Sequence, residues 1–188
     1  MSVYLLDQLL FKNENYFMIS RFISITGPTN VGKTGMLRRL YAHFINLKYE
    51  IVLEAESDLP ENEGYGAPPG ENESWDFYVL LKGPNGELVL IYSWGDILKN
   101  IQWLCWYLDE LEGKGYKVKL ILFALRDATD KLYPFAKNIL QLNEANWLEI
   151  PLGRMIIGDT SEKAIFWYQN TVLNLIITYI IPQELNNN

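Results

Sequence analysis

Residues 27–34 read GPTNVGKT and contain the residue types and spacing that most clearly predict chemistry. Gly27 and Gly32 enclose four residues, and Lys33 and Thr34 follow. Glycine at these places lets the backbone approach a ligand without a Cβ in the way. The N–H groups of such a loop form an anion-binding nest, the lysine adds a point charge for the β- and γ-phosphates, and the hydroxyl suits Mg²⁺. The spacing therefore predicts a phosphate-binding loop.

The flanking segments predict the elements that would hold this loop. The preceding run FMISRFISIT, residues 17–26, is rich in β-branched and aromatic residues and predicts a buried strand. The following run, residues 35–47, repeats apolar residues at helical spacing and predicts an amphipathic helix whose positive dipole end faces the loop. This strand–loop–helix order favours a functional loop over the alternative, a glycine turn beside a surface lysine.

On these residues and this order of elements, the chain resembles the P-loop NTPase superfamily. The resemblance covers the first half of a nucleotide-binding fold well and the rest in outline. It implies that a nucleotide binds with Mg²⁺, that Lys33 acts in catalysis and that Thr34 ligates the metal. The residues it implies for the nucleotide are Gly27, Pro28, Thr29, Asn30, Val31, Gly32, Lys33, Thr34 and Gly35.

An acidic residue after a second buried strand predicts the other metal-supporting group. The run WDFYVLLKGPNGELVLIYS, residues 75–93, predicts a β-hairpin because Asn85-Gly86 supplies the positive φ angles of a tight turn. A hairpin here resembles the GTPase-like branch of the superfamily. Its second strand leads to Asp96, which would support Mg²⁺ as a Walker B carboxylate does. The alternative role of Asp96 is to cap the helix predicted over residues 97–111, and the two roles could coexist.

The end of the next predicted strand bears on base recognition. The run YKVKLILFALRD ends in Arg126 and Asp127. GTPases carry Asn-Lys-x-Asp at this place, and only Asp127 matches, so the resemblance favours ATP over GTP. Arg126 could stack on the base or approach phosphates, or it could be a solvated arginine at a strand end.

Residues 57–74 predict a long loop, because they are rich in glycine, proline and acids and show no periodicity. The loop is either a lid near the phosphates or an unstructured acidic excursion. Glu56, just before it, is the candidate for positioning an attacking water, and Asp76 is the competing candidate.

Composition limits the class of protein. With 49% hydrophobic and 14% aromatic residues among 188, the chain predicts one folded domain rather than a disordered chain. A net charge of −7 argues against general nucleic-acid binding and against binding to anionic membranes. No run is long and apolar enough to predict a membrane span, and no targeting signal is visible, so we expect a cytoplasmic protein.

The predicted fold is α/β: a three-layer P-loop NTPase-like domain whose mostly parallel sheet has about six strands and one antiparallel hairpin. Residues 1–16 form an N-terminal segment, residues 17–181 the nucleotide-binding domain and residues 182–188 a frayed tail. A helix is predicted over residues 131–142 and another over 161–181. The last is apolar almost all round, which predicts burial between the sheet and a second surface. That surface is the N-terminal segment, another subunit or a protein partner.

Three functions fit these features. The first is an ATP-binding protein that hydrolyses slowly and switches a partner protein between two states. The second is a small-molecule kinase, for which Glu54, Glu56 and Asp58 stand where an acceptor-activating acid is expected. The third is a scaffold that binds nucleotide for stability without turnover.

Overall fold

The computed structural model of the protein describes residues 20–54, 76–153 and 161–186. The predicted N-terminal segment, the long loop over residues 57–74 and Glu56 lie outside the described residues. The strands are β1 (Arg21–Thr26), β2 (Glu50–Glu54), β3 (Tyr78–Lys82), β4 (Leu88–Tyr92), β5 (Val118–Leu125) and β6 (Trp147–Pro151). The helices are α1 (Lys33–Asn46), α2 (Leu98–Gly113), α3 (Leu132–Ile139), α4 (Ser161–Leu175), a π-helical segment (Ile176–Ile180) and α5 (Ile181–Asn186).

The six strands form one mixed sheet in the order β2-β3-β4-β5-β1-β6. Strand β3 runs antiparallel to both of its neighbours, and the pairings from β4 to β6 are parallel. The β3–β4 turn contains Gly86 at φ 88°, a left-handed conformation that favours glycine. The predicted α/β fold and its antiparallel hairpin are confirmed.

Helices cover both faces of the sheet, which gives three layers. On one face, α2 and α3 pack on a core that includes Phe22, Leu90 and Phe123. On the other face, α1 and the C-terminal helices pack on a core that includes Ile23 and Ile91. Neighbouring residues of a strand point to opposite faces, so strands covered on both sides read as unbroken apolar runs.

Helix α1 is attached to the sheet by the apolar stripe that its sequence predicts. Leu37, Leu40 and Phe44 are fully buried. Burying each such side chain contributes about 1.5–3 kcal/mol to folding. This packing holds α1 against one face of the sheet.

The C-terminal helices differ from the prediction at the tail. The prediction of a frayed tail is wrong for residues 182–186, because α5 extends to Asn186 and Arg21 on β1 forms an ion pair with the buried Glu184 (Nε–Oε2 2.5 Å). Among the described residues, the side chains of Phe166 and Trp167 on α4 are 58% and 66% exposed. The second surface expected to cover this helix is the N-terminal segment or another subunit, and the described residues include neither, so that burial stays a prediction.

Two internal helices begin and end within a few residues of their predicted bounds. Helix α2 begins at Leu98 and reaches Gly113. Helix α3 ends at Ile139 rather than residue 142, because Gln141 adopts φ 51° and the backbone turns there.

Parallel register brings three chain segments together at one edge of the sheet. Thr26 lies level with Leu125 on one side and with Pro151 on the other. The residues that follow these three strand ends therefore share one edge, as parallel strands require. No helix in the described ranges has the length and apolar character needed to cross a bilayer.

Candidate functional site

The 27–34 loop leaves the end of β1 and leads directly into α1. Gly27 has φ 155° and Gly32 has φ 91°, and a Cβ on Gly27 would overlap the carbonyl oxygen of Leu152. Asn30, at φ 62°, is the non-glycine residue of the loop that takes a left-handed conformation. The two motif glycines therefore stand where other residues would be strained or would clash.

The loop and the first turn of α1 present a run of unused backbone donors. The N–H groups of residues 32–35 donate to no acceptor among the residues that the structure describes. The first donor after this run is the N–H of Met36, which bonds to the carbonyl oxygen of Gly32 at 2.9 Å. Unused donors at the positive end of a helix dipole form a binding site for anions.

The Lys33 side chain is buried beneath this loop and is 5% exposed. Its ammonium donates to the carbonyl oxygens of Gly27 at 3.1 Å and Pro28 at 2.9 Å, and lies 3.4 Å from a carboxylate oxygen of Asp96. Burial lowers the pKa of Lys33, and the charge of Asp96 opposes that shift. The cation is thus held at the loop by groups that an incoming anion could replace.

Arg126 is a second cation at the loop. Its guanidinium donates to the Thr29 hydroxyl, and its Nε lies 3.2 Å from Asp96 Oδ1. Asp96 therefore serves Lys33 and Arg126 together, so two cations share one carboxylate. This arrangement follows from the strand order, because β5 lies between β1 and β4 and its end separates the loop from Asp96.

The hydroxyl of Thr34 is paired with Asp76 rather than with Asp96. Thr34 Oγ1 donates to Asp76 Oδ1 at 2.8 Å, and Ser93 Oγ donates to the same oxygen at 3.1 Å. Burial raises the pKa of Asp76, and the two hydroxyl donors partly offset that shift. Sequence reasoning considered Asp76 as a water-positioning residue and missed this pairing.

The hairpin contains the signal that could have revealed this pairing. Tyr78 pairs with Tyr92, so the residue two places before Tyr78 lies at the same sheet edge as Ser93. The bonds between Phe77 and Ser93, at 2.7 and 2.8 Å, continue the hairpin to that point.

Asp127 has a local role in the described structure. Its carboxylate accepts hydrogen bonds from the N–H and hydroxyl of Thr129 two residues later. These bonds lower the pKa of Asp127. This is a turn that leads towards α3, and the predicted contact of Asp127 with a base stays a prediction.

Helix α4 brings two residues to the loop region that sequence reasoning missed. Gln169 Nε2 donates to the carbonyl oxygen of Val31 at 3.1 Å. The Tyr168 hydroxyl donates to the carbonyl oxygen of Pro151 at 3.2 Å. No local pattern marks either residue, because each contact depends on how the last helix packs across the sheet edge.

The residues described contain no cluster of three or more His, Cys, Asp or Glu side chains that could hold a metal by themselves. Mg²⁺ beside a phosphate needs fewer protein ligands, because phosphates and waters complete its shell. The Thr34 hydroxyl and the Asp76 carboxylate are hard oxygen donors of the right kind. Comparison of the chain with protein-family models, with curated proteins and with solved structures gives no match.

Proposed function

We propose that the protein binds a nucleoside triphosphate, ATP in preference to GTP, with Mg²⁺ at the 27–34 loop, and hydrolyses it slowly as a switch on a partner protein. One observation carries the proposal: the unused N–H groups of residues 32–35 lie beside two cations that share the carboxylate of Asp96. In a P-loop, such donors surround the β- and γ-phosphates.

Two cations at the loop are available to a polyanion. Lys33 and Arg126 lie beside Asp96. The carboxylates of Asp76 and Asp127 also act on these cations, so Mg²⁺ would be needed to balance the charge of a bound polyphosphate. The ammonium of Lys33 and its loop carbonyl partners form a closed arrangement that phosphate oxygens can open, since charge-assisted bonds to phosphate are stronger than bonds to neutral carbonyls. The Arg126 guanidinium, which presents a fork of N–H donors, would bind the same phosphates.

Thr34 and Asp76 are the residues that would hold Mg²⁺. The metal, when bound, neutralises charge on the phosphate oxygens. A bound metal ion would also offset the energetic cost of burying the charged Asp76 carboxylate, which raises the pKa of this group in the free protein. Asp96 then acts as the counterion of Lys33 and Arg126 rather than as a metal ligand.

The roles proposed for the two carboxylates assign neither to an attacking water. Asp76, which accepts bonds from two hydroxyls at Oδ1, is assigned to Mg²⁺, and Asp96, whose Oδ1 faces both cations, is assigned to Lys33 and Arg126. Hydrolysis without a dedicated general base is slow, which is why the proposal specifies slow turnover. Lys33 stabilises charge that develops on the transferred phosphoryl group.

A binding experiment with a matched lysine control tests the proposal. ATP and GTP are titrated with and without Mg²⁺ into the wild-type protein, Lys33→Ala and Lys82→Ala. Lys82 is exposed at the end of β3 that faces away from the site. We expect Lys33→Ala to lose about 30-fold or more in affinity while keeping its circular dichroism spectrum, because bonds to a charged group contribute roughly 2–3 kcal/mol. Lys82→Ala should bind as the wild type does.

Unchanged affinity in Lys33→Ala would refute the assignment of the site. A turnover assay that follows ADP and free phosphate separately distinguishes the remaining functions. ADP formation that requires an added hydroxyl-bearing metabolite, with the phosphoryl group recovered on that metabolite rather than as free phosphate, would instead indicate a kinase. Tight binding with no ADP formation, with or without candidate partners, would indicate a scaffold.

A further inference from the structure

The contact between Gln169 and the loop acts on one peptide unit. The carbonyl of Val31 and the N–H of Gly32 belong to the same planar, trans peptide, so they point in opposite directions. Gln169 Nε2 holds the Val31 oxygen at 3.1 Å. The Gly32 N–H is therefore directed away from α4, and it is one of the unused donors of the loop.

This peptide depends on an external support. Gly32 has φ 91° and ψ 21°, a conformation that glycine enters and leaves with little energetic cost. A Cβ on Gly32 would overlap the amide group of Gln169, so helix and loop are in direct contact here. Without a partner for the Val31 oxygen, rotation of this peptide would turn its N–H away from the ligand side.

Other contacts fix α4 independently of Gln169. Arg39 on α1 donates to Asn170 Oδ1 at 2.9 Å, and its guanidinium lies 5.4 Å from the ring centroid of Phe166. Tyr168 bonds to Pro151 at the end of β6. The helix therefore presents Gln169 to the loop from a supported position.

We propose that Gln169 is a positioning residue for the phosphate-binding loop: it sets the direction of the Gly32 N–H and so the affinity for a polyphosphate. The inference rests on the proposed function and extends it. Gln169 contacts the backbone of the loop that would bind the phosphates. Its effect on affinity should therefore be the same whichever base the nucleotide has. Gln169 itself touches no phosphate in this assignment.

Two substitutions test the proposal, with the neighbouring amide as control. Gln169→Ala removes the donor, and Gln169→Glu keeps the shape but places an acceptor against the Val31 oxygen. Asn170→Ala removes a bond of the same kind between α4 and α1 that does not reach the loop. Each protein is titrated with inorganic tripolyphosphate and with ATP, and the Gly32 amide is followed by ¹⁵N-labelled NMR.

We expect about a tenfold loss of affinity for both ligands in Gln169→Ala, since one oriented donor to a charged group is lost. Gln169→Glu should lose more, and Asn170→Ala should stay within twofold of the wild type. The Gly32 amide resonance should move in both Gln169 variants and not in Asn170→Ala, at equal thermal stability.

The outcomes separate this inference from the proposed function. Wild-type affinity in Gln169→Ala, or an equal loss in Asn170→Ala, would overturn the role of Gln169 and leave the binding function standing. A loss for ATP without a loss for tripolyphosphate would also overturn it, because the contact would then act on the base. A wild-type protein that binds neither ligand would overturn both.

Discussion

Replacing Asp76 and Asp96 one at a time distinguishes the two carboxylates that could support Mg²⁺. In Asp76→Asn, the remaining amide oxygen can accept the bonds from Thr34 at 2.8 Å and Ser93 at 3.1 Å. The change therefore keeps the shape and both hydrogen bonds and removes only the charge. In the free protein we expect the free energy of unfolding to change by no more than about 1 kcal/mol.

The sign of the stability change depends on pH. Burial raises the pKa of Asp76 above its ordinary value, so the folded protein holds that proton more tightly than the unfolded chain. The wild type is then most stable relative to Asp76→Asn at low pH, and it loses this advantage as pH rises through the folded pKa. At neutral pH, Asp76→Asn should be equally or more stable in urea denaturation.

Mg²⁺ affinity should fall in Asp76→Asn, although the stability of that variant at neutral pH does not. Removing a carboxylate partner of a metal ligand costs about 10- to 100-fold in metal affinity, which is roughly 1.4–2.8 kcal/mol. Calorimetric titration of ATP at several Mg²⁺ concentrations should show that the metal strengthens binding to the wild type and much less to Asp76→Asn.

Asp96→Asn is the contrasting variant. Loss of the Asp96 charge leaves Lys33 and Arg126 without their shared counterion. In the wild type, Lys33 Nζ and Arg126 Nε lie 3.4 and 3.2 Å from Asp96 Oδ1. We expect ATP to bind more tightly by up to about fivefold, since a partly exposed ion pair contributes up to ~1 kcal/mol, with the Mg²⁺ dependence kept. Loss of the Mg²⁺ dependence in Asp96→Asn and its retention in Asp76→Asn would refute this reasoning and support the assignment of Asp96 as the Walker B carboxylate.

Three further predictions concern stability and reactivity. In Gly95→Ala the new Cβ would collide with the carbonyl of Ala124, so urea denaturation should show a loss of about 2 kcal/mol or more, and a loss under 0.5 kcal/mol would contradict the packing described. Arg21→Ala leaves the buried Glu184 without its cation and should cost about 1–3 kcal/mol, part of which Glu184→Gln in the same chain should restore; no recovery would contradict the ion-pair explanation. Burial raises the pKa of Cys105 to about 12. At pH 8 the folded protein should therefore contain roughly 1,000-fold less Cys105 thiolate than the unfolded chain, and a thiol reagent should react correspondingly more slowly with it. Similar rates of reaction in the folded and unfolded states would contradict that burial.

Local chemistry made part of the fold predictable. The Asn85-Gly86 turn, the stripe of Leu37 and Phe44, and the glycines of the 27–34 loop each depend on neighbours in sequence, and the structure has the expected element at each place. The prediction of a frayed tail after Ile181 was wrong because the residue that stabilises it, Arg21, lies at the other end of the described chain.

The site was predictable only where it is local. Lys33 and Thr34 follow from the motif, but their partners depend on strand order. Placing β5 between β1 and β4 brings Arg126 to Asp96. An antiparallel β3 brings Asp76 to Thr34. Spacing along the sequence contains neither fact, and the packing of α4 that carries Gln169 is equally non-local.

The position of β1 inside the sheet has a consequence for biosynthesis. Both strands that flank β1 come much later in the chain, and Gln169 comes later still. A ribosome therefore releases the GPTNVGKT segment long before the framework that shapes it exists, and pairing across such separations is slow. Under the proposed function, nucleotide would therefore bind after β5 and β6 have paired with β1, and it would stabilise the folded molecule rather than guide the early collapse of the nascent polypeptide.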